Sequence, residues 1–189
     1  MVGKHTMGKV IVGTTMSLDG FISDRNGDLS PLYPDLDALR KTEWLQEEIK
    51  TTGAAVMGRH TYDVGQGDFT NYEFQVPIFV LTHQVPAQTA KGQNERLKII
   101  FVTDGIESAI EKAKSAAGDK DVLTIGGADV SQQILEKGLA DELNIGIAPL
   151  LLGEGLRFFD HLDIGKIELE KTSVSEALGV TNIRFRINK

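Results

Sequence analysis

Hydrophobic positions come in short, dense runs early in the chain and in longer alternating stretches late. Lys9–Ser17 (KVIVGTTMS), rich in β-branched residues, predicts a first strand, and Ala54–Met57 predicts a short second one. Pro77–Thr82 (PIFVLT) and Leu97–Val102 (LKIIFV) are nearly continuous apolar runs, the pattern of strands covered on both faces. Val122–Ile125 predicts another strand. Between these runs the spacing becomes helical. From Asp37 to Thr51, Leu45 and Ile49 sit four apart with Trp44 beside them, Glu43, Glu47 and Glu48 face elsewhere, and Gly53 ends the helix. Ile106, Ala109, Ile110 and Ala113 form one apolar stripe, opened by Asp104 with Glu107 as a capping box and stopped by Gly118. Asp129 is placed to cap a helix carrying Val130, Ile134 and Leu135, with Gly138 just beyond it. Glu142–Ala148, Ile167–Val174 and Val180–Ile187 read as strands with no helices of comparable strength between them.

Alternating β and α followed by successive strands predicts an α/β fold of three layers, its sheet parallel first with antiparallel strands added at the end. Leu18–Asp35 contains Gly20, Gly27, Pro31 and Pro34, and a loop of this length in a compact domain is usually functional or mobile. No repeat or linker interrupts the pattern, so residues 8–189 are expected to form one domain behind a tail of residues 1–7.

Composition narrows the function classes. The net charge is −7, which argues against nucleic acid or an anionic membrane as the main partner. No apolar run approaches the ~20 residues of a membrane span. The chain has no cysteine, which excludes disulfides, thiolate zinc sites and a cysteine nucleophile, and fits a reducing compartment; the expected location is the cytoplasm.

Several motifs are absent: GxxxxGK[ST], GxSxG and HExxH do not occur, and His5, His60, His83 and His161 lack metal-ligand spacing. The GQG at Gly65 and the GEG at Gly153 do not continue as GxGxxG, so a dinucleotide site here differs from the Rossmann fingerprint. Two strand-to-helix turns carry glycine instead: Met57-Gly58-Arg59-His60-Thr61 and Ile125-Gly126-Gly127-Ala128-Asp129. Such turns aim backbone N–H groups at an anion, glycine lets a ligand approach the backbone, and Arg59 offers a planar donor fork suited to phosphate. The same residues also fit tight turns with Arg59 paired to a surface carboxylate; spacing alone does not separate the two readings.

The segments in order resemble a family. Val56–Tyr62 is similar to the MGRxTW segment of dihydrofolate reductases, and Ile125–Val130, with Gln133 and Leu135, resembles their IGG segment. Ser17-Leu18-Asp19-Gly20, Ala140-Asp141-Glu142-Leu143 and Ala148–Gly153 are closer to the reductase domain of bifunctional riboflavin-biosynthesis proteins and its stand-alone bacterial relatives. The resemblance covers roughly residues 8–187. It implies a mixed sheet of about eight strands binding NADPH in an extended pose. By that likeness Arg59, with Thr82 and His83, takes the adenosine 2′-phosphate. Gly58 and Thr61 hold the pyrophosphate from one side, and Gly126, Gly127, Ala128 and Asp129 from the other. Thr15, Ser17 and Gly20 lie near the nicotinamide, with the loop after Phe21 as a lid. Relatives also imply a homodimer.

One departure bears on the substrate. Sixteen residues before Gly58, where dihydrofolate reductases carry their pterin-binding acid, stands Thr42. Glu43 is adjacent, but one helical step turns about 100°. Asp19 either orients a substrate or caps the turn before Gly20, and Trp44 and Phe21 either floor a pocket or anchor the core. Asp19, Glu43, Tyr62 or a water is the proton source, with Asp19 and Glu43 the catalytic candidates. The sequence thus predicts an NADPH-dependent reductase of a small pterin- or pyrimidine-like heterocycle or of a carbonyl compound. The alternatives are an NADPH-binding protein without efficient turnover and a 5-amino-6-(5-phosphoribosylamino)uracil reductase.

Overall fold

The computed structural model describes residues 8–160, 162, 165 and 167–188. Residues 1–7, His161 and Asp163 lie outside that set. An eight-stranded mixed sheet runs in the order β5-β4-β3-β6-β1-β7-β10-β9, where β1 is Val10–Ser17, β3 Thr52–Gly58, β4 Ile78–Leu81, β5 Ile99–Val102, β6 Asp121–Ile125, β7 Glu142–Ala148, β9 Glu168–Ala177 and β10 Val180–Asn188. β5, β4, β3, β6, β1 and β7 are parallel, whereas β10 is antiparallel to β7 and β9 to β10. The expected parallel-then-antiparallel sheet is therefore the one observed. The short strands β2 (Phe21–Ser23) and β8 (Leu156–Arg157) form a separate two-stranded ribbon.

Alternation along the parallel strands divides their side chains between two layers. On one face Val10, Val12, Ala54, Val56 and Val122 pack against Ile106, Ala109, Ile110 and Ala113 of α4 (Ile106–Ala117) and Val130 and Ile134 of α5 (Ala128–Glu136). On the other, Ala55, Met57, Ile78 and Val80 meet Tyr62 of α3 (Arg59–Val64), and Ile11 and Leu123 meet Leu45 of α2 (Glu43–Thr51). Because the strands are parallel, Ser17, Gly58, Leu81, Val102, Ile125 and Ala148 end at one edge of the sheet. The chain returns to insert β6 between β3 and β1, and the crevice beyond such a reversal is where open α/β sheets bind ligands.

Local differences from the expected elements have physical causes. The helix expected from Asp37 to Thr51 is two, α1 (Leu36–Arg40) and α2, because the Thr42 hydroxyl turns to accept from the Leu45 amide at 3.3 Å and starts a new helix. α2 ends at Thr51, and Gly53 lies within β3 rather than closing the helix. Asp104 does not cap α4: Gly105 occupies the cap, and the Asp104 carboxylate accepts from Ser108 at 2.8 Å and from Lys112 at 3.0 Å. Gly127, not Asp129, caps α5; the Asp129 carboxylate accepts from the Gln133 amide at 3.0 Å. Leu18–Asp35 is less irregular than expected, holding β2 and a single 3-10 turn at Ser30–Leu32. No helix among the described residues is long and apolar enough to cross a membrane.

Candidate functional site

The two glycine turns meet. β3 and β6 are neighbours in register, Met57 opposite Ile125, so Gly58 and Gly126 leave the sheet side by side. Gly126 and Gly127 have φ of 65° and 67°, left-handed values that favour glycine. A Cβ on Gly126 would lie 2.8 Å from Thr61 Cγ2 and 2.9 Å from its Oγ1; one on Gly127 would lie 3.3 Å from that Oγ1. The pair forms a cradle of bare backbone beside a hydroxyl, and the amides at the start of α5 are free of side-chain caps. Such a surface suits a phosphate.

Arg59 stands at one end of this cradle. Its Nε donates to both carboxylate oxygens of Asp63, at 2.8 and 2.9 Å, and its Nη1 donates to the Gln84 carbonyl at 2.9 Å. The Thr82 hydroxyl donates to the same carbonyl at 2.9 Å and accepts from the Gln84 amide at 3.2 Å. The arginine therefore ties α3 to the turn after β4 and remains about one-third exposed. A groove of about 450 Å³ runs here past Gly58, Arg59, Thr82, His83, Gly127 and Asp129. A second cavity, of about 540 Å³, adjoins it through His60, Thr61 and Gly127 and passes Thr14, Ser23, Gly126 and Tyr33. Arg25 and Glu154 pair at 3.0 Å between two loops that line this cavity.

Tyr33 also lines a third cavity, of about 270 Å³, which lies over Thr15 and Asn182 and is walled by Leu32, Leu39, Trp44 and Val180. Burial pushes the Tyr33 phenol above its ordinary pKa, while its hydrogen bonds to Thr15 oppose the shift, and the group stays protonated. The Trp44 indole N–H is buried with no acceptor among the described residues. The three cavities thus adjoin in turn through shared walls: the groove at Arg59 and the second cavity through His60, Thr61 and Gly127, the second and third through Tyr33.

Arg59, Thr82, His83, Gly58, Thr61, Gly127 and Asp129 share the first groove, and Gly126 lies in the second. Ala128 is buried as the first residue of α5. Thr15 faces the third cavity, and its neighbour Thr14 faces the second. Ser17, Asp19 and Gly20 form a brace instead. The Ser17 hydroxyl donates to Asp19 at 2.6 Å and accepts from the Phe21 amide at 3.0 Å. The Asp19 carboxylate then accepts from the amides of Leu152 at 3.1 Å and Gly153 at 2.7 Å. The Ser17 bond, followed by those amides, holds the Asp19 pKa down at about 2, so it is a fixed anion joining two loops. Gly20 lies beside Arg157, whose guanidinium sits 4.3 Å from the Phe21 ring centre. Glu43 is exposed at the start of α2, outside all three cavities.

Two residues escaped the sequence. Glu48, expected on the solvent side, is buried, and desolvation raises its pKa to about 7 against opposing contributions from Asn144 and Arg184. Its position three residues after buried Leu45 was the available signal. Tyr33 sits in a loop whose periodicity marks nothing. Among the described residues no group of three His, Asp or Glu side chains is arranged to hold a metal.

Residues 8–180 match the family model of the RibD C-terminal domain. The uncharacterized protein YyaP of Bacillus subtilis (strain 168) is 31% identical over 156 residues, 80% of each chain. The deaminase/5-amino-6-(5-phosphoribosylamino)uracil reductase of Thermotoga maritima superposes with a TM-score of 0.74 at 15% identity, covering 96% of this chain and 57% of that one. A dihydrofolate reductase of Enterococcus faecalis, solved as a complex with NADP(H), superposes with a TM-score of 0.62 at 18% identity, covering 97% and 98%.

Proposed function

The chain belongs to the RibD C-terminal domain family, and on that premise we propose that it is an NADPH-dependent reductase of a small planar heterocyclic or carbonyl compound. The observation that carries this reading is the succession of three cavities that share wall residues, with an arginine in the first, bare backbone at the wall shared by the first two and an aromatic wall in the third. An extended dinucleotide fits that order of chemistry. Arg59, with His83 and the turn at Thr82, would receive the 2′-phosphate. Thr61 and the amides around Gly126 and Gly127 would receive the pyrophosphate, where a Cβ would otherwise intrude. The nicotinamide end would then lie by Thr14 and Tyr33.

When bound, the cofactor supplies the hydride. The chain supplies position and exclusion of water. The Asp19 brace fixes the loops around the end of β1, and Tyr33 holds a protonated hydroxyl at the junction of the second and third cavities. No acid side chain of α2 reaches the third cavity, so the final proton is proposed to come from water or from Tyr33 rather than from Glu43.

The reading is tested by mixing the protein with NADPH and a panel of pterins, pyrimidines and quinones and following loss of the reduced-nicotinamide absorbance. Steady turnover with one acceptor class supports it. Tight NADPH binding with no acceptor reduced favours a dinucleotide-binding protein without turnover. A homodimer is proposed through β9, an edge strand exposed along nearly its whole length and carrying Leu169 and Val174 outward; light scattering of the purified protein checks it.

A further inference from the structure

The cavity beside Trp44 carries a statement about the acceptor's charge, resting on the reductase reading above. Its walls are Leu32, Pro34, Leu39, Trp44, Leu178 and Val180, and among the described residues no lysine or arginine lines it. Its one formal charge is Asp35, whose carboxylate is engaged with the Ala38 amide at 2.8 Å as the cap of α1. Arg184 stands two residues beyond Asn182 on β10, outside the cavity lining, and acts electrostatically on Glu48. The polar groups that remain are Thr15, Tyr33 and Asn182, all uncharged.

A phosphate or sulfonate entering this space would lose its hydration and find no cation, beside a carboxylate that repels it. A flat uncharged ring would lose little, and its carbonyl oxygen would find hydroxyl and amide donors. We propose that this cavity takes an uncharged, unphosphorylated planar ring bearing a conjugated carbonyl group, and rejects the same ring once it carries an anionic substituent. The site is thereby set apart from one built for a phosphoribosyl-substituted pyrimidine, which needs basic side chains around its phosphate. In the reaction the ring accepts a hydride from the reduced nicotinamide and one proton from water; a quinone becomes a hydroquinone and the cofactor is left oxidised.

Trp44 is the sole tryptophan, so its emission reports on this cavity directly. The test titrates the protein, without cofactor, with 1,4-naphthoquinone and with its 2-sulfonate, and confirms each binding constant by calorimetry. The neutral ring is expected to quench Trp44 saturably and to bind at least about tenfold more tightly than the sulfonate, a gap of roughly 1.4 kcal/mol or more. Leu178→Lys, at an exposed position on the cavity rim, is expected to narrow that gap by tightening the sulfonate alone. Equal or tighter binding of the sulfonate to the unmodified protein overturns the proposal, as does a gap that Leu178→Lys leaves untouched. NADPH binding, followed separately by energy transfer from Trp44, keeps the two readings apart. If NADPH fails to bind while the neutral ring does, the cofactor assignment falls and this one stands. If NADPH binds and neither ring does, this one falls.

Discussion

The side chain of Thr61 occupies the space that a side chain on Gly126 would need, its Cγ2 2.8 Å from where that Cβ would stand. Neither residue is intelligible alone. The threonine stands in the first turn of the short helix after β3, the glycine directly follows β6, and only the parallel pairing of those strands brings them into contact.

The contact sets the cost of Gly126→Ala. The alanine must hold a φ of 65° and displace Thr61, and the left-handed conformation alone costs about 1–2 kcal/mol. NADPH affinity is expected to fall at least about tenfold. The double variant Gly126→Ala/Thr61→Ser, which deletes the crowded methyl, is expected to recover part of that loss. Calorimetric titration of the four proteins closes the cycle; strictly additive losses would contradict the coupling.

Glu48 makes stability pH-dependent in a defined direction. Its pKa is about 7 in the folded protein against 4.5 ordinarily, so between those values the folded state holds a proton that the unfolded chain has released. Stability conferred at low pH is then lost as the pH rises through that window, by an amount on the order of 3 kcal/mol. Glu48→Gln is expected to remove this fall. Urea unfolding of both proteins at the two ends of the window checks it: the variant should gain on the wild type as the pH rises, and parallel curves would refute the assignment.

Asp19 works at the opposite end of the scale. With its pKa held near 2, Asp19 stays ionised in the folded protein and keeps its bonds to Ser17, Leu152 and Gly153 down to about that pH; the stability they confer is fully present above the ordinary carboxylate value of 3.8 and is lost as the pH falls from 3.8 through 2. Asp19→Asn keeps the shape but loses the anion that the two amides face. Faster amide exchange at Leu152 and Gly153, with little change at β3, is the expected signature.

These residues also mark how far the sequence reaches. The apolar runs of β1, β4, β5 and β6 and the stripe of α4 were legible because burial on both faces, or along one helix side, imposes a period. The glycine turns were legible because φ and close approach restrict residue type. Asp104 and Asp129 misled because a capping residue is chosen by where the chain turns, and in both places a glycine turns it first. Glu48 and Tyr33 stayed hidden because what makes them notable is a neighbour distant in the chain: Asn144 and Arg184 for one, Thr15 for the other.

The engagement of Arg59 with Asp63 bears on cofactor choice. The carboxylate orients the guanidinium and partly neutralises it, about half exposed and hence weakly. Asp63→Asn is expected to tighten NADPH severalfold and to leave NADH nearly unchanged, read by energy transfer from Trp44; an equal gain for both cofactors would mean that Asp63 acts on the adenine side generally.

The central claim is that the groove at Arg59 holds the phosphate that distinguishes NADPH from NADH. Titration of the wild type and of Arg59→Ala with both cofactors, followed by energy transfer from Trp44, tests it most directly. NADPH should bind the wild type at least about tenfold more tightly than NADH, and Arg59→Ala should erase most of that difference while sparing NADH. Equal affinity of the wild type for the two cofactors, or a preference that survives the loss of Arg59, would contradict the account.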